Sequence, residues 1–252
     1  MPQTIEQTID NLLRRASVAC GLARALAAPD QGTHGAVLAL QQGAALPEGD
    51  SLTAVVAAWR GVPVELLADE HTRLFGPSTQ CPPWETAWGD ARRFAGRTQE
   101  MADVAGMYRA FGLKLSAKLN ERPDHIVAEL EFIGALLMQL GWALADGHSD
   151  NASVTHDALH LFLDQHAGRW VKAFASAVEK QGAMPAYATA AQATASFIEG
   201  ECARAGALPK AAEADTPCNE TEPDCMACPM AEPQQGAQLC GAAKGFPRTV
   251  RE

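Results

Sequence analysis

The chain has 252 residues, of which 47% are hydrophobic and 6% aromatic, and its formal net charge is −10. This length suffices for a substantial core in one large domain or two small ones, without disulfide bonds. Alanine is abundant and no stretch alternates apolar and polar residues, so the sequence predicts an all-α fold. The negative charge and the lack of a Lys/Arg-rich run weigh against nucleic acid or an anionic membrane as main partner.

The N-terminal residues and the cysteines bear on where the protein works. The first residues lack a basic segment followed by a small-residue cleavage site, and no apolar run reaches the roughly 18 residues that span a bilayer. Seven cysteines in a chain without an export signal are typical of metal ligation or redox chemistry rather than of a disulfide framework. We expect a cytoplasmic protein without stable membrane insertion. The sequence leaves open whether it is a monomer or a homodimer.

Apolar residues at helical spacing divide most of the chain into helices. Thr4 and Gln7 form a predicted capping box at the start of the first helix. Beyond about Ala205 the apolar period disappears, so we expect a single helical domain over residues 1–205 and an irregular tail over residues 206–252. The predicted helices cover residues 5–28, 37–40, 51–59, 63–75, 101–111, 123–144, 154–178 and 187–198, with a polar linker over residues 147–151.

The stretch of residues 121–144 is predicted to be the central core helix. Pro123 fits the first helical position, and apolar residues follow at steps of three and four. Its N-terminal end carries Asp124, His125 and Glu129, a polar cluster that core packing does not require. The simplest interpretation is that Asp124 caps the helix and His125 makes a core hydrogen bond. An acid/base pair is the alternative, but no nucleophile or glycine-rich phosphate loop accompanies it.

A proline-rich loop over residues 76–90 precedes this helix in the chain. Its prolines and glycines predict a fixed, non-helical conformation that carries Trp84 and Trp88. Either both tryptophans anchor the loop on the core, or they line a groove for an apolar segment of a partner.

Four cysteines distinguish the tail from the rest of the chain. Cys218, Cys225, Cys228 and Cys240 follow the pattern C-x6-C-x2-C-x11-C. The C-x2-C step lets two thiolates reach one metal, and four thiolates close either a zinc site or an iron–sulfur cluster. The alternative is a disordered acidic tail with incidental cysteines.

Three segments together resemble the TorD/DmsD family of molybdoenzyme maturation chaperones. Residues 70–88, EHTRLFGPSTQCPPWETAW, are similar to the family's E-Y-x-R-L-F…P-P-x-E-S-x-Y segment. Residues 123–133, PDHIVAELEFI, are similar to its D-H-x-x-x-E-L-x-F-M signature. Residues 162–174, FLDQHAGRWVKAF, are similar to its later H-L-x-x-W segment. The three segments occur in the family's order.

The resemblance implies an all-α, non-enzymatic chaperone of the cytoplasm. Such a protein binds the twin-arginine signal peptide and the apo form of a molybdoenzyme catalytic subunit until its cofactor is inserted. An arginine pair followed by an apolar run needs an acidic mouth, which Asp124, Glu129 and Glu85 could supply, beside an apolar groove. By position, the resemblance assigns peptide binding to Leu74, Phe75, Pro83, Trp84, Trp88, Asp124, His125 and Glu129, with His166 and Trp170 as the later signature pair.

Two other functions remain open at this stage. The tail could hold an iron–sulfur cluster in an electron-transfer or redox-sensing protein, with the helical body as a docking module. A helical metalloenzyme that uses Asp124, His125, Glu129 and later histidines is the third hypothesis.

Overall fold

The computed structural model describes residues 4–40, 47–76, 79–88, 94–115 and 122–211 of the chain. These residues form α-helices and short helical turns with no β-strand, which confirms the predicted all-α class. A 3-10 turn, Glu85–Ala87, lies in the proline-rich loop. The helices are α1 (Ile5–Leu26), α2 (Gln31–Ala39), α3 (Pro47–Trp59), α4 (Val64–Phe75), α5 (Phe94–Ala110), α6 (Ile126–Ala145), α7 (Ser149–Phe162), α8 (Gly168–Lys180) and α9 (Pro185–Ala205).

The centre of the fold is α6, which packs most extensively against α1. The predicted apolar stripe is buried, and Leu130, Ile133 and Leu137 are all 0% exposed. Gly134 allows the close approach, because a Cβ atom there would lie 2.9 Å from the Cys20 Sγ. Among the described residues α6 is also the one helix long and apolar enough to cross a membrane, but 72% of that stretch is buried inside the protein. Such burial is typical of a core helix.

Some helix starts agree with the sequence prediction and others do not, and for α2 a capping side chain explains the difference. The capping box of α1 is confirmed, since the Thr4 side chain accepts from the Gln7 N–H at 3.2 Å. The start of α2 was predicted too late, because Asp30 caps it by accepting from the Thr33 N–H at 2.6 Å. Both α3 and α5 also begin earlier than predicted.

The predicted linker and the long helix after it also need correction. α7 already begins at Ser149, inside the expected linker over residues 147–151. The expected helix over residues 154–178 is interrupted by a π-helical turn at Leu163–Ala167. This turn inserts an extra residue into the helical repeat, which changes the faces that α7 and α8 present and brings His166 into the interior.

Candidate functional site

The proline-rich loop and the start of α6 are joined by backbone hydrogen bonds. The Glu85 N–H donates to the Asp124 carbonyl at 2.8 Å, and the Ile126 N–H donates to the Pro83 carbonyl at 2.8 Å. Trp84 and His125 therefore lie opposite each other in an isolated antiparallel bridge. Two segments that resemble family signatures thus form one structural unit.

Asp124 is the polar centre of this unit. Its side chain is 0% exposed and accepts from the Thr86 N–H at 3.2 Å and the Thr86 hydroxyl at 2.7 Å. The Arg122 Nε and Nη2 atoms each donate to it at 2.9 Å. With four donors, both carboxylate oxygens are satisfied inside the protein. The interpretation of Asp124 as the cap of the central helix is therefore wrong.

His125 caps α6 instead. Its Nδ1 atom accepts a hydrogen bond from the Val127 N–H at 3.2 Å, and its backbone is extended, as a cap requires. The helix thus starts at Ile126 and not at Pro123. Burial lowers the pKa of His125 to about 4, so the imidazole is neutral at physiological pH and keeps its acceptor nitrogen.

A second set of polar groups lies beneath the loop. The Glu85 carboxylate is 3.1 Å from the His166 Nδ1, and both side chains are buried. Burial raises the pKa of Glu85 to about 7; the neighbouring His166 opposes this increase, and the nearby charge of Glu100 adds to it. Each of these three residues offers one ligand atom within 4.8 Å of the other two, a spacing that a metal ion could use. Glu100 already pairs with the Arg169 guanidinium at 3.2 Å.

Glu129 is another fully buried acid of the unit. One of its carboxylate oxygens accepts from the Trp170 indole N–H at 3.1 Å, and the other has no hydrogen-bond partner among the described residues. Burial raises its pKa well above the usual value, and the nearby charges of Glu85 and Asp124 raise it further. Both effects favour the protonated form of Glu129, which offers no charge to a ligand.

Aromatic rings connect the loop to α4. Trp88 is buried, donates its indole N–H to the Pro82 carbonyl at 3.1 Å and stacks on Trp170 at 6.5 Å. Trp170 contacts Phe174, whose ring lies 5.8 Å from that of Phe75. Leu74 is buried as well. The anchoring interpretation therefore holds for Trp88.

The ten residues assigned by resemblance differ in accessibility. Trp84 and His125 are partly exposed, whereas the others are buried. The Arg122 guanidinium lies 5.2 Å from the centre of the Trp84 ring. The buried residues are Leu74, Phe75, Pro83, Trp88, Asp124, Glu129, His166 and Trp170.

Sequence reasoning missed three residues of the site. Arg122 and Thr86 complete the environment of Asp124, and Glu100 completes that of Glu85. The position of Arg122 two residues before Asp124 was the available local signal. The four tail cysteines, Cys218, Cys225, Cys228 and Cys240, lie outside the described residues. Within the described part, the Cys81 thiol is buried with its pKa raised to about 11 by burial, so it is not a nucleophile at neutral pH.

Comparison with known proteins adds independent information. The chain is 32% identical over 118 residues to the selenate reductase assembly chaperone protein of Thauera selenatis, across 47% of this chain and 59% of the relative. It is 30% identical over 115 residues to the chlorate reductase assembly chaperone protein of Ideonella dechloratans, across 46% and 58%. It is 30% identical over 118 residues to the chaperone protein TorD of Vibrio cholerae, across 46% and 51%. The chain thus spans between 51% and 59% of the length of these relatives.

A solved structure and a family pattern complete the comparison. The crystal structure of a redox enzyme maturation protein from Archaeoglobus fulgidus shares 25% sequence identity, with a TM-score of 0.47, across 73% of this chain and 93% of that one. Residues 30–176 match the family described as nitrate reductase delta subunit. This match spans more than half of the chain and includes the proline-rich loop, the start of α6 and the π-helical turn. The protein therefore belongs to the nitrate reductase delta subunit family, and its predicted resemblance to TorD-type proteins is confirmed.

Proposed function

We propose that this protein is a non-catalytic assembly chaperone of the cytoplasm for a molybdoenzyme. It binds the catalytic subunit in its apo form, together with the twin-arginine signal peptide, until the cofactor is inserted. Three relatives that carry the name of assembly chaperone or TorD support this role. The net charge of −10 suits a cationic peptide and favours fast association with it.

The observation that carries the peptide site is the bridge between Trp84 and His125. These two residues are partly exposed, while their chain neighbours Glu85 and Asp124 are buried and held by hydrogen bonds. A partly exposed indole on a rigid base is typical of a binding hot spot, because it offers apolar area with little loss of side-chain freedom. We therefore place the peptide contact on Trp84 and His125.

The buried residues of the site give this surface its shape. Asp124 and Thr86 fix the loop, and Glu129 with Trp170 fixes the first turn of α6 against α8. In this proposal the other residues assigned by resemblance support the contact surface from below. Burial raises the pKa of Glu129 and lowers that of His125, and both shifts favour the uncharged forms, which suit the hydrophobic part of a signal peptide.

Calorimetric titration with the signal peptide of the client tests the proposal. The wild-type protein should bind it, and a scrambled peptide of the same composition should bind at least about tenfold more weakly. Trp84→Ala should weaken binding by about tenfold or more, the effect of losing a central aromatic contact.

Trp142→Ala is the matched control for this variant. Trp142 is a tryptophan near the other end of α6 and is 58% exposed. Its removal should leave the affinity within about twofold of the wild type, since exposed side chains outside the contact have little effect. Equal affinity for the two peptides, or equal losses in both variants, would contradict the proposed site. Co-production with the client tests the chaperone role, because molybdenum occupancy of the client should fall when the protein is omitted.

A further inference from the structure

The Arg122 guanidinium is held as a bound ligand would be. Its Nε and Nη2 atoms donate to the two oxygens of Asp124 at 2.9 Å each, in the forked geometry that suits a guanidinium and a carboxylate. The Nη2 atom also donates to the Thr86 hydroxyl at 2.5 Å. The guanidinium carbon lies 5.2 Å from the Trp84 ring centre, within cation–π range.

We propose that Asp124, Thr86 and Trp84 form a guanidinium-binding site that Arg122 occupies in the free protein. An arginine of the client peptide enters this site by displacing Arg122. The inference rests on the proposed function, since it states how the arginine of that peptide is recognised. It also explains how a fully buried carboxylate can take part in recognition, because the site exchanges one guanidinium for another.

The burial of the two partners favours exchange over simple addition. The Asp124 side chain is 0% exposed, so it cannot lose its cation without leaving a buried, poorly compensated charge. The Arg122 side chain is 34% exposed and can move into water, where its charge is solvated. Release of Arg122 is thus inexpensive only when another guanidinium replaces it.

The chemistry of the pocket predicts selectivity for arginine over lysine. A lysine ammonium is a point charge and cannot donate along two parallel directions to both oxygens of Asp124. It also gains less from the flat face of Trp84 than a planar guanidinium does. A peptide with a lysine pair should therefore fail to displace Arg122, even though its net charge is the same.

Two other arginines, Arg15 and Arg73, are held differently. Arg15 pairs with the buried Glu201 and is itself only 11% exposed, so it is part of the core. Arg73 pairs with Glu70 on the same helix, at the surface. Arg122 contacts the buried Asp124 carboxylate and the face of Trp84, and its own side chain is partly exposed.

Chemical rescue tests the pocket without any peptide. Arg122→Ala empties the site, and its melting temperature should fall below that of the wild type because Asp124 loses its cation. Ethylguanidinium at millimolar concentration should restore at least half of the lost melting temperature, whereas ethylammonium should not. Arg109→Ala, which removes an exposed arginine from α5, should show neither the loss nor the rescue. Equal effects of ethylguanidinium and ethylammonium, or no rescue by either cation, would overturn the proposed pocket.

Peptide titration tests the exchange. Arg122→Ala should bind an arginine-pair peptide about tenfold more tightly than the wild type, since no internal pair of charge-assisted hydrogen bonds must be broken first. A lysine-pair peptide should gain less than about twofold. If the wild type binds the peptide and Arg122→Ala binds it equally or more weakly, the exchange is refuted and the proposed function stands. If no variant binds the peptide, the proposed function fails, and the rescue experiment still decides whether the pocket exists.

A measurement on the wild type covers the case in which Arg122→Ala does not fold. The Nε–H resonance of Arg122, assigned with Arg122→Lys, should move to the position of a solvent-exposed arginine when the arginine-pair peptide is added. The lysine-pair peptide should leave it unchanged. An Arg122 resonance that is unchanged at saturation with the arginine-pair peptide would overturn the exchange.

Discussion

Glu85→Gln should make the protein more stable at pH 8 and change little at pH 5. Glu85 is 3% exposed, and its pKa is raised from 4.5 to about 7, chiefly by burial. The folded protein holds this proton more tightly than the unfolded chain does. The protonated carboxyl therefore contributes its full stabilisation to the fold below about pH 4.5. Its stabilisation is then lost as the pH rises from 4.5 through about 7. Glutamine keeps the shape and cannot ionise.

The size of the effect follows from the difference between the two pKa values. A rise from 4.5 to about 7 corresponds to roughly 3 kcal/mol of unfolding free energy above pH 7, at about 1.4 kcal/mol per pH unit. This net value already includes the opposing effect of His166, whose Nδ1 lies 3.1 Å from the carboxylate.

Urea unfolding followed by circular dichroism between pH 5 and pH 8 provides the measurement. The variant minus wild-type difference should grow with pH in favour of Glu85→Gln. Glu179→Gln, which alters an exposed carboxylate on α8, is the matched control and should give a difference that is flat with pH. A flat difference for Glu85→Gln as well would refute the assignment of a buried, proton-holding carboxyl. A net loss of stability at pH 8 would show that the ionised pair with His166 dominates.

Three further predictions concern other parts of the protein. Trp170→Phe removes the indole N–H that donates to Glu129 and should lower the free energy of unfolding in urea by about 1–3 kcal/mol. In a Glu129→Leu background the same change should lower it by less. His125→Ala removes the cap of α6 and should cost about 0.5–2 kcal/mol at pH 7, which His125→Asn should largely restore. We also predict that the tail binds one metal centre. Cys225→Ser combined with Cys228→Ser should therefore abolish stoichiometric iron or zinc in anaerobically prepared protein. Less than about a tenth of an equivalent of iron and zinc together in the wild type would show that the cysteines are not a metal site.

Local patterns in the sequence determined much of the helical framework. The apolar stripe behind Pro123 predicted α6 as the core helix, and the Thr4–Gln7 capping box marked the start of α1. Both signals depend on residues three or four positions apart, a separation at which helical geometry alone decides which side chains meet. The same signals missed the π-helical turn at Leu163–Ala167, because an inserted residue is recognised only when the packing on both sides of it is known.

The residues around the start of α6 were predicted as a group, while their partners were not. Asp124, His125 and Glu129 are close in sequence, and the family resemblance singled them out together. Which of them caps the helix was decided by the tertiary structure. The Asp124 carboxylate accepts a hydrogen bond from the hydroxyl of Thr86, 38 residues earlier in the chain, and His125 caps the helix instead.

The electrostatic character of the site depends on contacts that no local rule contains. Glu85 meets His166 across 81 residues, and Glu129 meets Trp170 across 41. From sequence, Asp124, Glu129 and Glu85 were expected to form an acidic mouth. Residue type determined that carboxyl groups are present at these positions, whereas burial and long-range partners decide which of them carry a charge. Local sequence patterns thus predicted most of the helical framework, whereas tertiary contacts raise the pKa values of Glu85 and Glu129 and pair Asp124 with Arg122.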